Sequence, residues 1–327
     1  MTSMKNFSET RVLVTGGNGF IGSHLTERLV SLNADVSVFS RSGNSIKIND
    51  LIKKIKFFKV DLTNKDLLRK SVKSIEPEII FHLASETNVS RDISLLEDNI
   101  NNNLMGTLNL LNALSNIKYN VFVNTGTCEE YGNGKVPFSE DQTPTPVSPY
   151  SASKVATTYY CKMLYETQKL PITTLRPFLT YGPKQVNNML IPSSIISALQ
   201  NKDFQMTRGE QTRDFIYVEN VVEAYLKAAY SKRAIGEIIN IGSGKERKII
   251  DTVKLILKLT ESRSKIDDSL PYRPGETMHF YCSNKKAKDL LDWQPTTELG
   301  VGLKRTIEWC SSMLKSGELK KWMPQKN

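Results

Sequence analysis

The sequence predicts an α/β protein: a doubly wound parallel sheet followed by a smaller, mixed α/β unit. Three observations carry this expectation. Short β-branched runs alternate with longer helical patterns through the first half of the 327-residue chain. A glycine-rich stretch, "VTGGNGFIG" from Val14 to Gly22, stands where the first strand meets the first helix. Beyond Pro177 the alternation loosens into irregular stretches and single helices. Strands alternating with helices build parallel βαβ units, which wind into one sheet covered on both faces.

Taken in order, Arg11–Thr15, Asp35–Ser40, 56–60, 78–83 and 120–124 read as strands. Segment 21–32 puts Ile21, Leu25 and Leu29 on one helical face. In the later half, 191–199 and 252–259 read as helices, and no internal repeat or low-complexity linker interrupts the chain. The change of pattern places a boundary at Arg176 and Pro177. A first unit then covers 1–176 and a second 177–327, with short segments of the second free to return to the first.

At 36.9 kDa, with mean hydropathy −0.34, the chain has the composition of a soluble protein with a large core. The net charge is +10. Its lysines, such as Lys53, Lys54, Lys65 and Lys70, are scattered over helical segments without interleaved aromatics. That argues for a solvated surface rather than a nucleic-acid partner, and leaves a small anionic ligand compatible. No apolar run approaches the roughly 18 residues a membrane span needs. Met1 to Thr10 is polar and lacks the apolar segment of a signal peptide. Cys128, Cys161, Cys282 and Cys310 lie far apart with no CxxC spacing, which favours neither a disulfide framework nor a metal site. These features point to the cytoplasm.

Gly16, Gly19 and Gly22 form GxxGxxG between a strand and an amphipathic helix. Glycines there permit a tight bend and let backbone N–H groups approach a pyrophosphate at the positive end of the helix dipole. Further along, "SPYSASK" sets Tyr150 and Lys154 four residues apart, on one face of a helix. A lysine ammonium beside a phenol favours the phenolate, lowering its pKa from about 10. Thr127 would sit just past the strand that ends in "NTGT", where open α/β sheets place ligands. Each motif alone has a plain structural reading, as a turn or a chance spacing. Their joint occurrence in this order does not.

On these residues the chain resembles an extended short-chain dehydrogenase/reductase of the nucleotide-sugar epimerase, dehydratase and reductase family, along nearly its whole length. "DL" at Asp61 and Leu62, "FHLAS" ending in Leu83, Ala84 and Ser85, "NLMGT" opening on Asn103 and "RPFLTYGP" with Pro177 match that family. So do "QTRDFIYV", "NIGSG", "YRPGE" and "LLDWQP". The resemblance implies a Rossmann-type fold with NAD(P) held along Gly16, Gly19, Phe20, Ile21, Gly22, Ser40, Arg41, Asp61, Leu62, Leu83, Ala84, Ser85, Asn103 and Pro177. It makes Tyr150 the acid/base, Lys154 its support and the holder of the nicotinamide ribose, and Thr127 the group that orients the sugar oxygen. Arg213 and Arg273 match arginines that bind the substrate's diphosphate, a role that suits a guanidinium fork. Leu179 departs from the pattern, since several relatives carry an asparagine there. Relatives dimerise through two long helices, here near 95–114 and 151–168, which implies a homodimer.

Two local features bear on the reaction. Ser40 stands where NAD-preferring relatives carry an acidic residue, and Arg41 follows it, which favours NADP(H) while leaving NAD(H) open. Glu129 stands where family dehydratases carry the base that removes a C5 proton, and simple epimerases lack this carboxylate. The adjacent acid of many dehydratases is replaced by Cys128, a poor substitute. The combination most resembles GDP-4-keto-6-deoxymannose reductases and related 4-ketoreductases. The expectation is therefore NADPH-dependent reduction of a nucleotide-linked 4-keto-6-deoxy sugar. The alternative is a 4,6-dehydratase or 4-epimerase that recycles a tightly bound NAD(P).

Overall fold

Strands form where the β-branched and apolar runs lie: β1 (Arg11–Thr15), β2 (Asp35–Ser40), β3 (Lys56–Lys59), β4 (Ile79–His82), β5 (Val121–Thr125) and β6 (Ile172–Pro177). The computed structural model describes residues 7–43, 46–186, 188–273 and 275–319. Most of the polar opening segment, residues 1–6, lies outside the described residues. Short strands follow: β7 (Leu179–Tyr181), β8 (Phe204–Gln205), β9 (Thr212–Arg213), β10 (Phe215–Tyr217) and β11 (Ile238–Ile241). A seven-stranded sheet runs in the order β11-β6-β5-β4-β1-β2-β3. Every pairing in it is parallel.

Helices cover both faces: α1 (Phe20–Ser31), α2 (Lys65–Ile75), α3 (Leu96–Asn99), α4 (Gly106–Ala113), α5 (Pro149–Gln168), α6 (Leu190–Leu199) and α7 (Val218–Tyr230). Then come α8 (Ile249–Thr260), α9 (Lys285–Leu291) and α10 (Leu299–Lys315). Alternate residues of each strand serve opposite cores, as the pleat requires. Val12 and Val14 pack with Leu25, Leu29 and Tyr225 of α1 and α7. Leu13 packs with Leu68, Val72 and Leu110 of α2 and α4 on the other face. A third cluster joins Ile191, Ile195, Val253, Ile256 and Leu303 of α6, α8 and α10. β11 and α7, from beyond Pro177, pack into the first layer, against β6 and α1.

Two helices differ from the expected segments. The stretch expected as one long helix near 95–114 contains a π-helical turn, Ile100–Met105, between α3 and α4. π turns re-aim side chains by admitting one extra residue per turn. Here the turn carries Asn103. Helix α5 begins at Pro149 rather than Ser151: the Ser148 hydroxyl accepts from the Ser151 N–H at 3.1 Å, and Pro149 opens the first turn. Tyr150 therefore sits inside the helix, one turn before Lys154.

Candidate active site

The strand order changes direction between β1 and β4, and a cavity of about 620 Å³ opens along the carboxyl ends of the strands. Ligands of open α/β sheets bind at such a point. Gly16, Gly19, Phe20, Ile21 and Gly22 form one wall. Gly19 is the N-cap of α1 and no side chain caps that helix, so its first N–H groups remain available to an anion. Gly22 is there for close approach, since a Cβ would stand 2.2 Å from the Gly16 carbonyl oxygen.

Ser40, Arg41, Asp61, Leu62, Leu83, Ala84, Ser85 and Pro177 complete the walls. The Arg41 guanidinium donates to Asn102 Oδ1 at 2.8 Å and lies 3.7 Å from the Glu86 carboxylate. Lys47 reaches the same wall, its ammonium pushed down by burial and by Lys184. Asn103 is not on the wall. Its amide donates to Glu86 O and Ser153 Oγ and its Oδ1 accepts from the Ser85 hydroxyl and the Glu86 N–H, stapling the loop after β4 to α5.

Thr127, Glu129, Tyr150 and Lys154 converge on this cavity. Thr127 caps the short turn Cys128–Tyr131 that follows β5, its hydroxyl accepting from the Glu129 N–H at 3.2 Å. Tyr150 and Lys154 are both buried. Burial pushes the Tyr150 phenol up; a hydrogen bond with Thr127 works against this, and Cys128, Glu129 and Glu130 add to it. The phenol therefore moves opposite to the expected lowering by Lys154, because burial is the largest influence on it and disfavours the phenolate. Burial likewise holds the Lys154 ammonium down at about 8, opposed by Glu130 and Cys161. Glu129 is raised by burial, while Arg213 and Arg273 pull it back. The Cys128 thiol is pushed well up by burial and then by Glu129, so it stays protonated.

Arg213 and Arg273 do not line the cavity but act on Glu129 at its edge. One carboxylate, Glu276, bridges both guanidiniums. Arg213 also donates to the Thr212 and Thr277 carbonyls at 2.7 and 2.9 Å, which fixes its plane. Leu179 lines the cavity as an apolar side chain. The residues fit a dinucleotide: α1 has an uncapped N-terminus, and the buried Gln185 Oε1 on the cavity wall has no partner. Sequence reading passed over Glu276, Glu130, Arg176 and Lys47. For Glu276 a signal existed in "YRPGE"; the others are revealed only by tertiary contacts.

A site of this construction belongs to enzymes that work through a nicotinamide dinucleotide. The chain belongs to the NAD dependent epimerase/dehydratase family, whose model matches residues 12–242. It is 35% identical over 323 residues to a UDP-N-acetyl-alpha-D-glucosaminuronate decarboxylase of Bacillus cytotoxicus, covering 91% of this chain and 97% of that protein. It is 30% identical to a probable dTDP-glucose 4,6-dehydratase of Sinorhizobium fredii, covering 91% and 92%. Its fold superimposes with a TM-score of 0.83 on UDP-glucuronic acid 4-epimerase of Bacillus cereus, solved with UDP-glucuronic acid and NAD. That match is 29% identical and covers 92% of this chain and 99% of the other. The protein is an enzyme of nucleotide-sugar chemistry. Among the described residues, no helix is long and apolar enough to cross a membrane.

Proposed function

We propose that the enzyme oxidises C4 of a nucleotide-diphosphate sugar with a dinucleotide it keeps bound, and returns the hydride to the sugar before release. The observation that carries this reading is the convergence of Thr127, Tyr150, Lys154 and Glu129 on one cavity beside the uncapped helix α1. The bound nicotinamide supplies the hydride acceptor and donor. Tyr150 takes the C4 hydroxyl proton as the C4 hydride leaves, and Thr127 donates to the sugar oxygen. Lys154 stabilises the phenolate. A C4 ketone acidifies the neighbouring C5–H, and Glu129 removes that proton. Elimination then expels the C6 hydroxyl, which leaves as water with the proton Glu129 took; the hydride goes to C6 and C5 takes a solvent proton, a course that Glu129 favours over plain epimerisation. Arg213 and Arg273, oriented by Glu276, hold the diphosphate.

The relatives named above catalyse decarboxylation, dehydration and epimerisation, all redox-neutral overall. They support the recycled-cofactor alternative better than net reduction by NADPH. The test supplies UDP-, dTDP-, GDP- and CDP-hexoses in D2O without added reductant. A 4-keto-6-deoxy product carrying deuterium at C5 is expected. Consumption of NADPH by 4-keto-6-deoxy sugars, with plain hexoses left untouched, would restore the reductase reading.

Ser40 at the end of β2, with Arg41 and Lys47 on the same wall, supports NADP(H) over the NAD held by the Bacillus cereus enzyme. Mass spectrometry of the nucleotide released on denaturation is the check. Arg41→Ala should weaken NADP+ about tenfold and leave NAD+ unchanged, as expected for losing one partner of a charged phosphate contact. Homodimerisation is proposed through the short turn Ile93–Leu95, α3, the π turn and α5, where Ile93, Leu96, Ile100, Tyr159, Tyr160 and Met163 are exposed. Apolar side chains exposed together on helices are the kind of surface that interfaces use.

A further inference from the structure

We propose that Glu130 is a positioning residue that fixes Thr127 against the catalytic helix and provides the Lys154 ammonium with its countercharge. The inference rests on the catalytic reading above and extends it to a residue that touches neither sugar nor cofactor.

Glu130 is fully buried. Its Oε1 accepts from the Thr127 backbone N–H at 2.8 Å and from the Thr158 hydroxyl at 3.3 Å. Its Oε2 accepts from Arg176 Nε at 3.0 Å and from the Arg176 terminal nitrogen at 2.7 Å. One carboxylate therefore ties the turn after β5 to helix α5 and to strand β6. Thr158 lies one helical turn beyond Lys154 on α5. The link runs from the residue that holds the sugar oxygen to the helix that carries the acid/base and its lysine.

Helix capping does not account for this arrangement. Thr127 and Glu130 do form a capping box on the turn Cys128–Tyr131. That role is met by a solvent-facing Glu or Gln and requires neither full burial nor an arginine. Stability does not account for it either, because buried ion pairs are often replaced by apolar residues without loss. The surroundings are nevertheless shaped around the carboxylate. A Cβ on Gly126 would stand 2.6 Å from Glu130 Oε1 and 3.1 Å from Arg176 Cγ, so the backbone is bare where the pair lies. Arg176 also stacks over the Tyr131 ring at 4.8 Å.

The charge has an evident use. Lys154 is 3% exposed, and among the described residues no carboxylate touches it. Of the titratable groups that face it, Glu130 and Cys161 favour its charged form and His82 sees it from β4. Tyr150 shares its helix and also feels Glu130. Glu130 in turn faces Arg176 and Tyr131. A buried ammonium without a nearby negative charge gives up its proton, and Lys154 must keep it to stabilise the phenolate.

Glu130→Gln tests the charge, since the amide oxygen retains the bond to Thr127 while the charge is lost; the hold on Thr127 is tested by Glu130→Leu/Arg176→Gln, whose kcat should fall below that of Glu130→Gln/Arg176→Gln, and equal kcat values in the two overturn that part. In the holoenzyme, the Lys154 Cε resonance, assigned with Lys154→Arg, should titrate about one pH unit lower than in the wild type. The alkaline limb of kcat should move down with it, and kcat at neutral pH should fall about tenfold. Glu130→Gln/Arg176→Gln removes both charges together, so that a folding defect from an unpaired arginine is avoided. Glu130, bonded to Thr158, is the member of the pair on the α5 side, so the Lys154 midpoint should fall in this variant too. An unmoved Lys154 midpoint in a folded variant overturns the proposal, as does failure of the double variant to fold, which would make the pair structural. The titration uses no sugar. Absence of turnover on any nucleotide sugar therefore rejects the functional reading without touching this result.

Discussion

Burial moves the two side chains proposed for proton transfer in opposite directions: it raises the Tyr150 phenol and lowers the Lys154 ammonium to about 8. Each shift disfavours the charged form, as desolvation must. The phenolate that C4 oxidation needs therefore depends on positive charge brought close to the ring, from Lys154 and from the oxidised cofactor when it is bound. Replacing Tyr150 by Phe should lower turnover about 10²- to 10⁴-fold, while dinucleotide affinity, read by fluorescence quenching, stays near that of the wild type. Unchanged turnover would remove Tyr150 from the chemistry. Glu129 gives a separate signature. Its carboxyl is raised by burial above the ordinary carboxylate value, so its base form is lost at a higher pH than for an exposed glutamate. Deuterium entry at C5 should accordingly rise with pH through that raised value and level off above it. In Glu129→Gln the exchange should disappear while reduction of the bound cofactor, followed by its absorbance, continues. Exchange that persists in this variant would assign the C5 proton to another base.

Among the elements, the turns that begin helices place the chemistry. The Ser148 cap and Pro149 start α5 early enough for Tyr150 to lie one turn before Lys154. Ser148→Ala should cost about 1 kcal/mol of stability, measured by urea denaturation, and lower kcat more than it changes KM, because the first turn carries Tyr150. Equal effects on both constants would mean that the cap supports substrate binding instead. α1 is built in the opposite way. Its N-cap, Gly19, offers no side-chain cap, and Gly22 lets the turn close on Gly16. Gly22→Ala would force a methyl group into a carbonyl oxygen and should release the dinucleotide during purification, seen as loss of absorbance near 260 nm. The π turn at Ile100–Met105 is a third such device: it sets Asn103 between the loop after β4 and Ser153, beside Lys154.

Across the whole molecule, the later half both completes the sheet and covers the site. β11 extends the sheet beyond β6, α7 packs on α1, and α6, α8 and α10 form their own core. The opposite side leaves Tyr159, Tyr160 and Met163 of α5 exposed. If two copies pair there, light scattering should give twice the 36.9 kDa chain mass. Met163→Glu should then reduce it to one, since a carboxylate buried at an apolar contact is penalised by several kcal/mol. A monomeric wild type would reject that surface. By sequence alone this protein was committed to its family, to a parallel sheet and to the positions of the glycine turn, Thr127, Tyr150 and Lys154. Those features are local, written as short-range periodicity and fixed spacing along one strand or one helix. Tertiary structure alone decided the rest. The direction of the Tyr150 shift depends on how much water the fold removes, and the partners of Asn103 in the π turn are met only in the folded chain. Glu130 and Arg176 are 46 positions apart and Arg213 and Glu276 are 63 apart. Such pairs carry no pattern in the sequence, because only the folded chain brings them within a hydrogen bond.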